Sequence, residues 1–147
     1  MVIRISLVMG FPLGTGNSFF AGLETKLKTG QLISAPTYEI RTPVDVFTLC
    51  TCVLELCGNS YTGLLHIGAT DSISRYDLTV AAASLMGFSA DLILPQHELD
   101  QKVNRAPRHK NGIIRVDRAR GILKTQLMST AAGLQRVFTE RSAISGG

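Results

Sequence analysis

Several groups of residues in this sequence have types and spacings that could do chemistry. They are the glycines Gly10, Gly14 and Gly16, the cysteines Cys50, Cys52 and Cys57, the lone strand histidine His66, the polar loop 69–73, and a basic run from Lys102 to Lys124. The glycines follow an apolar strand and precede a helix, a spacing that lets backbone amides at a helix N-terminus approach a pyrophosphate. Pro12 stands inside that turn, removes one amide donor and fixes φ. No strand ending in an acid follows at the ~20-residue distance where such an acid would meet a ribose. The glycines therefore read as a flexible strand-to-helix loop. Zinc requires four convergent ligands, usually in C-x-x-C pairs. Here Cys50 and Cys57 fall on the expected buried stripe of a helix and Cys52 elsewhere, with no fourth ligand nearby, so no metal site is expected and cysteine packs as a small hydrophobe. His66 has no acid at a readable spacing, and no G-x-S-x-G nucleophile elbow occurs anywhere. It is expected to be a core or half-buried histidine, and no catalytic residue is assigned.

The basic run carries eight Lys and Arg residues against Asp117 alone. That segment is +7 and the rest of the chain −3 of the formal +4. A local surplus of this kind suits an anionic ligand, most often phosphate. It holds no Phe, Tyr or Trp on which single-stranded bases could stack, so nucleic acid is not an expected partner.

The elements that must position these residues follow from hydrophobic period and capping chemistry. Residues 61–87 read as strand, loop and helix. Leu64, Leu65 and Ile67 form a short apolar run between Gly63 and Gly68. Ser74 and Asp77 make a capping box, with the Asp77 carboxylate expected to reach back to the Ser74 amide. Leu78, Ala81, Ala82 and Leu85 share one helix face, and Gly87 supplies a left-handed stop. The loop 69–73 sits at the strand's carboxyl end, where α/β folds place ligands. Upstream, residues 2–10 read as a strand covered on both faces. Asn17 is the expected cap of a helix bearing Phe19, Phe20, Leu23 and Leu27 and closed by Gly30. Residues 33–40 read as an irregular or edge strand, since Pro36 removes a ladder donor. Thr42, Pro43 and Asp45 predict a helix start, with Val46, Leu49, Cys50, Val53 and Cys57 on its buried stripe. Downstream come a short strand or arm over 91–95, a polar basic loop over 96–112 and an extended segment over 113–116. Asp117 caps a helix over 118–124, a last helix covers about 129–140, and residues 142–147 form a disordered tail.

At 147 residues, 45% hydrophobic and 18% charged, the chain has the size and composition of one soluble globular domain. It has no run of 18 apolar residues for a membrane span. No basic n-region or cleavage site of a secretory signal is seen. Three cysteines in such a chain fit a reducing compartment, and the expected location is the cytoplasm.

The order of segments resembles the C-terminal, substrate-binding half of the dTDP-4-dehydrorhamnose reductase group, extended short-chain dehydrogenases that act on nucleotide sugars. Four pieces carry the resemblance: the strand 3–10, Asn17-Ser18-Phe19 opening a helix, the helix entry Arg41-Thr42-Pro43-Val44-Asp45-Val46, and a closing set. That set comprises Tyr61 to Ala69, Ser74 to Leu78, Ala106-Pro107-Arg108 and Val116-Asp117. The resemblance covers residues 1–138, leaving 139–147 as a flexible tail. It implies an α/β fold made of a partial Rossmann-like sheet end plus a small substrate-binding α/β subdomain, without the N-terminal cofactor half. It places Arg4 and Ser6 near the nicotinamide end of the cofactor, and Asn17 and Arg108 on the nucleotide sugar, with Arg108 on a phosphate. The intact family uses NADP or NAD through a Gly-rich loop and a Tyr-x-x-x-Lys dyad. Tyr38, Tyr61 and Tyr76 are followed four residues later by Thr42, Leu65 and Val80. The expectation is therefore no hydride transfer and no tight cofactor binding by this chain alone. The expected ligand is a nucleotide-sugar diphosphate, and the expected partner a missing N-terminal half or another protein. The alternative is a non-catalytic regulatory module similar to the β subunit of methionine adenosyltransferase. An unpaired 2–8 strand would in either case be an aggregation liability.

Overall fold

The computed structural model describes residues 1–14, 16–97 and 109–145. In chain order its elements are β1 (Val2–Ile5), β2 (Val8–Met9), α1 (Phe19–Lys28), β3 (Ile33–Pro36), β4 (Ile40–Arg41) and β5 (Val44–Asp45). There follow α2 (Val46–Cys57), β6 (Leu64–Ile67), β7 (Ile73–Ser74), α3 (Arg75–Leu85) and β8 (Ile93–Gln96). The last three are β9 (Asn111–Gly112), α4 (Asp117–Ile122) and α5 (Thr130–Ser145). The architecture is mixed α/β with small, mostly parallel sheets. β1 pairs with β6, β2 with β5, β3 with β8 and β4 with β9, all in parallel, while β4 meets β7 antiparallel.

Two apolar clusters hold these layers. One gathers Phe20, Leu23 and Leu27 of α1, Leu78, Ala82 and Ala83 of α3, and Leu134 and Val137 of α5 over Met9, Ala35 and Ile93. The other sets Cys52 and Leu56 of α2 and Ala119 and Leu123 against Leu65 and Ile67 of β6 and Val44 of β5. The buried side chains of β6 alternate: Leu65 and Ile67 are fully buried, Leu64 and His66 half-buried.

Several expectations hold in detail. The Ser74 hydroxyl accepts the Asp77 amide at 2.9 Å. Of the three glycines expected to close helices, Gly30 (φ 68°) and Gly87 (φ 81°) stand in the left-handed region, while Gly58 caps α2 with a φ of −96°. Gln31 and Phe88 donate to the carbonyls of Lys26 and Ala83, five residues back.

Other expectations are corrected. The cap of α1 is Ser18, whose hydroxyl accepts the Ala21 amide at 3.1 Å, and Asn17 is exposed one residue earlier. The cap of α2 is Asp45, which accepts the Thr48 amide at 2.8 Å. The backbone before it is extended because Val44 pairs with Val8. That placement sets the helix's buried face as Thr48, Cys52 and Leu56, so Cys52 is in the core and Cys50 and Cys57 are exposed, the reverse of the stripe expected. The buried face of α3 runs through Leu78, Thr79, Ala82 and Ala83, and Leu85 is 40% exposed. In the capping box the Ser74 hydroxyl itself donates to the Asp77 carboxylate at 2.6 Å. The strand expected over 2–10 is broken at Ser6–Leu7, and instead of being covered on both faces it leaves Val2 60% and Ile5 48% exposed. Asp117 begins α4 rather than capping it: its carboxylate accepts from Arg115 Nε at 2.9 Å. Residues 142–145 continue α5.

Candidate functional site

A groove of about 550 Å³ lies between the loop after β2 and three helices. Phe11, Pro12 and Leu13 form one wall, Val46, Phe47 and Cys50 of α2 another, with Ala21 of α1 and Val137 of α5 at the floor. The apolar loop residues are held by an aromatic group: the Phe11 ring lies 5.5 Å from Phe20 and 5.2 Å from Phe138, the latter edge-on. An ion cluster closes one end. Arg141 stacks its guanidinium 3.9 Å above Phe11 and donates to Glu24 at 2.7 Å, while Lys28 meets the same carboxylate at 2.9 Å. The hydrogen bond from Lys28, and then that from Arg141, hold the Glu24 carboxyl below its ordinary range against the opposing effect of burial. The cavity is apolar with a charged rim, suited to a ligand with a flat apolar part and a polar end.

A second cleft, of about 260 Å³, lies at the carboxyl end of β6, between the 69–72 loop, Thr42 and the 113–117 segment with Arg120. This is where a ligand loop was expected, but the loop is engaged in anchoring. Asp71 accepts the Thr130 amide at 2.7 Å and the Thr130 hydroxyl at 2.8 Å, capping α5 from outside, and the Thr70 amide donates to the Met128 carbonyl at 3.0 Å. A third cleft, of about 420 Å³, is lined by Leu64, His66, Arg115, Asp117 and Arg118. His66 Nε2 is buried and has no hydrogen-bond partner among the described residues. Among the described residues no acid hydrogen-bonds the ring, so none orients it as a general base.

The residues singled out from sequence are not gathered in one place. Arg4 is exposed on β1, opposite His66 across the ladder. Ser6 is committed to structure: its hydroxyl accepts the Thr42 amide at 3.3 Å, tying the end of β1 to the turn before β5. Asn17 is exposed ahead of α1. None of these three lines any of the three clefts. Arg108, and with it the whole basic 102–108 stretch, lies outside the described residues. In the glycine loop a Cβ at Gly16 would stand 2.9 Å from Pro12, and at the start of α1 the Ser18 hydroxyl takes the Ala21 amide. No group of three His, Cys, Asp or Glu side chains able to hold a metal occurs among the described residues.

Sequence reasoning missed three polar anchors: Asp71 on Thr130, Glu24 on Arg141, and Glu55 on the backbone after α4. Glu55 accepts the Lys124 amide at 2.6 Å, the Thr125 amide at 2.9 Å and the Thr125 hydroxyl at 2.7 Å. Each joins residues about 60 or more apart in sequence, so no local spacing could have announced them.

No protein-family model and no curated protein matches the sequence. Solved structures do. A dTDP-4-dehydrorhamnose reductase from Bacillus anthracis, in complex with NADP, matches with a TM-score of 0.81 at 26% identity, over 94% of this chain and 47% of that one. The chain has the fold of half a dTDP-4-dehydrorhamnose reductase. A second such reductase, from Clostridium acetobutylicum, gives a TM-score of 0.81 at 18% identity over 95% of this chain and 48% of its own. A UDP-glucose 4-epimerase from Thermotoga maritima, with UDP-glucose, gives 0.68 at 15% over 97% and 46%. At those identities the last two speak for the fold alone. The Rossmann-like α/β class expected from sequence is the one observed, and the chain spans about half the length of the structures it matches.

Proposed function

We propose that this chain is the nucleotide-sugar-binding portion, corresponding to the C-terminal half, of an NAD(P)-dependent 4-keto-sugar-nucleotide reductase or epimerase similar to dTDP-4-dehydrorhamnose reductase. The observation that carries the proposal is the match to the Bacillus anthracis reductase over 94% of this chain, joined to the sequence motifs that resemble the same group. The ligand is a nucleotide-sugar diphosphate. Arg108 takes a phosphate through a guanidinium fork that matches two phosphoryl oxygens, Asn17 contacts the nucleotide sugar, and Arg4 and Ser6 face the nicotinamide end when a cofactor half is present. A Tyr-x-x-x-Lys pair, in which the lysine lowers the tyrosine pKa and the tyrosine supplies a proton to the substrate oxygen, does not occur in this sequence. The chain by itself therefore binds substrate without reducing it.

Titration calorimetry of the purified chain with a dTDP-sugar is the test. Weak binding that is lost in Arg108→Ala and reduced in Asn17→Ala supports the reading. Absence of heat at millimolar ligand, or binding indifferent to both substitutions, overturns it and leaves the non-catalytic module as the better description. Oxidation of NADPH by the chain with a 4-keto nucleotide sugar, above a blank without protein, would refute the inactivity.

A further inference from the structure

The face that β6 turns away from the apolar core is a charged one. Leu65 and Ile67 pack inward, so Leu64 and His66 share the other face, with Val2 and Arg4 of β1 as their register partners. The 115–118 segment walls this face, tied to it by the Arg118 guanidinium, which donates to the Leu64 carbonyl at 3.3 Å. Leu64, His66, Arg115, Asp117 and Arg118 thereby line the cleft of about 420 Å³.

Two features of this cleft serve nothing in the fold. His66 Nε2 is buried without a hydrogen-bond partner among the described residues, a cost that persists until a ligand meets the atom. The positive charge is also in excess. Arg115 gives Nε to Asp117 at 2.9 Å and Arg118 one donor to Leu64, yet a guanidinium carries five N–H donors. Arg4 is exposed and makes no hydrogen bond or ion pair among the described residues. Three arginines against one aspartate leave two positive charges around His66.

We propose that this cleft binds a phosphate group, the dianionic end of a small phosphorylated ligand. Arg115 and Arg118 grip oxygens from the α4 side, His66 donates its Nε2–H to another, and Arg4 adds a cation at the rim. Nε2 is closed to solvent, so the ligand enters as the exposed Arg118 side chain leaves the Leu64 carbonyl. The Tyr61 hydroxyl, which donates to that carbonyl at 3.0 Å, keeps it satisfied. One water molecule fits less well, since the cleft is many times its ~30 Å³ share of liquid volume and water brings no charge. A monocarboxylate meets only half of the excess charge. The site shares only Arg4 with the nucleotide-sugar reading, whose phosphate contact is Arg108.

NMR of the histidine rings of the full chain, titrated with inorganic phosphate against chloride at matched ionic strength, is the test. The expected result is a saturable shift of the His66 ring in phosphate alone, with a rise in melting temperature from the same linkage. Arg118→Gln, at an exposed position, weakens phosphate binding at least about tenfold. Lys26→Gln, which removes a charge from a remote exposed position on α1, leaves it unchanged. His66→Phe keeps a ring without the nitrogen, and its melting temperature does not respond to phosphate. A His66 ring that stays still, drifts without saturating or moves equally in chloride overturns the proposal, as does a full response in Arg118→Gln. A response kept in Arg118→Gln but lost in Arg108→Ala also overturns it, by placing the phosphate at the nucleotide-sugar contact. Failure of the dTDP-sugar titration leaves this outcome untouched, because inorganic phosphate is the probe.

Discussion

Replacing Asp71 by alanine should cost this chain an amount of stability unusual for a change at an exposed residue. Asp71 is itself exposed, but Thr130 beneath it is 2% exposed, and both the amide and the hydroxyl of Thr130 end on one Asp71 oxygen at 2.7 and 2.8 Å. Hydrogen bonds to a charged acceptor contribute ~1.5–3 kcal/mol each, and the solvent exposure of the carboxylate argues for the lower end. The loss of a helix N-cap is worth ~0.5–2 kcal/mol. The Ser129 hydroxyl also caps this helix, accepting the Ala132 amide at 3.3 Å; because the two Asp71 bonds share one acceptor at the same helix end, the figures overlap rather than add, and the expected loss is about 2–3 kcal/mol. For a chain of this size that lowers Tm by about 5–10 °C. Urea unfolding followed by far-UV circular dichroism, on wild type, Asp71→Ala and Asp71→Asn, measures it. The asparagine keeps an acceptor oxygen without the charge and should retain at least half of the stability lost in the alanine variant. An alanine variant within ~0.5 kcal/mol of wild type would refute the reasoning. It would return the 69–73 loop to the role of a free ligand loop at the end of β6.

Two further outcomes follow from the environment of single groups. Burial, then the charges of Glu55 and Asp45, push the Cys52 thiol up to about 11, while Cys50 and Cys57 are exposed. A thiol-specific disulfide reagent at ~pH 8 should titrate those two in the folded chain and Cys52 only after denaturant is added; fast modification of all three would contradict the burial. The Cys52 contribution to stability is full below the ordinary value of 9 and is lost as pH rises toward about 11. The Glu55 carboxyl is shifted the other way, lowered from 4.5 chiefly by the Lys124 amide and then by the Thr125 hydroxyl and amide. Its anchoring of the segment after α4 is therefore present above pH 4.5 and lost as pH falls through the lowered value. The Lys124 and Thr125 amide resonances should move together over that acid range in wild type and stay still in Glu55→Gln; equal movement in both proteins would remove Glu55 as the cause.

What was legible in the sequence is local. The helix stops at Gly30 and Gly87 and the cap at Ser74 were readable because each depends on residues within one turn, where φ and hydrogen-bond reach are set by chemistry alone. The β6 strand was readable from its apolar run and flanking glycines. The α/β class followed from the alternation of strands and helices, and the likeness to half of a reductase from the order of weak motifs along nearly the whole chain. The α2 stripe was misread by local periodicity, because every position from Leu49 to Leu54 is apolar or small and the period offered no preference. Only the pairing of Val44 with Val8 decided that Cys52 faces inward.

The remaining features required the tertiary structure. Asp71 on Thr130, Glu24 on Arg141 and Glu55 on Thr125 span 59, 117 and 70 residues, and a carboxylate in a sequence carries no mark of which distant amide or guanidinium it will meet. The separation of Arg4, Ser6 and Asn17 from the main groove is of the same kind, since strand register and loop path, not residue type, decide which side chains share a cavity. Residue types and their neighbours thus determined the elements, the class and the family likeness. Which apolar faces are covered, and which on α2 and β1 are left bare, was decided by packing, because burial is a property of the whole assembly of elements and of no one of them.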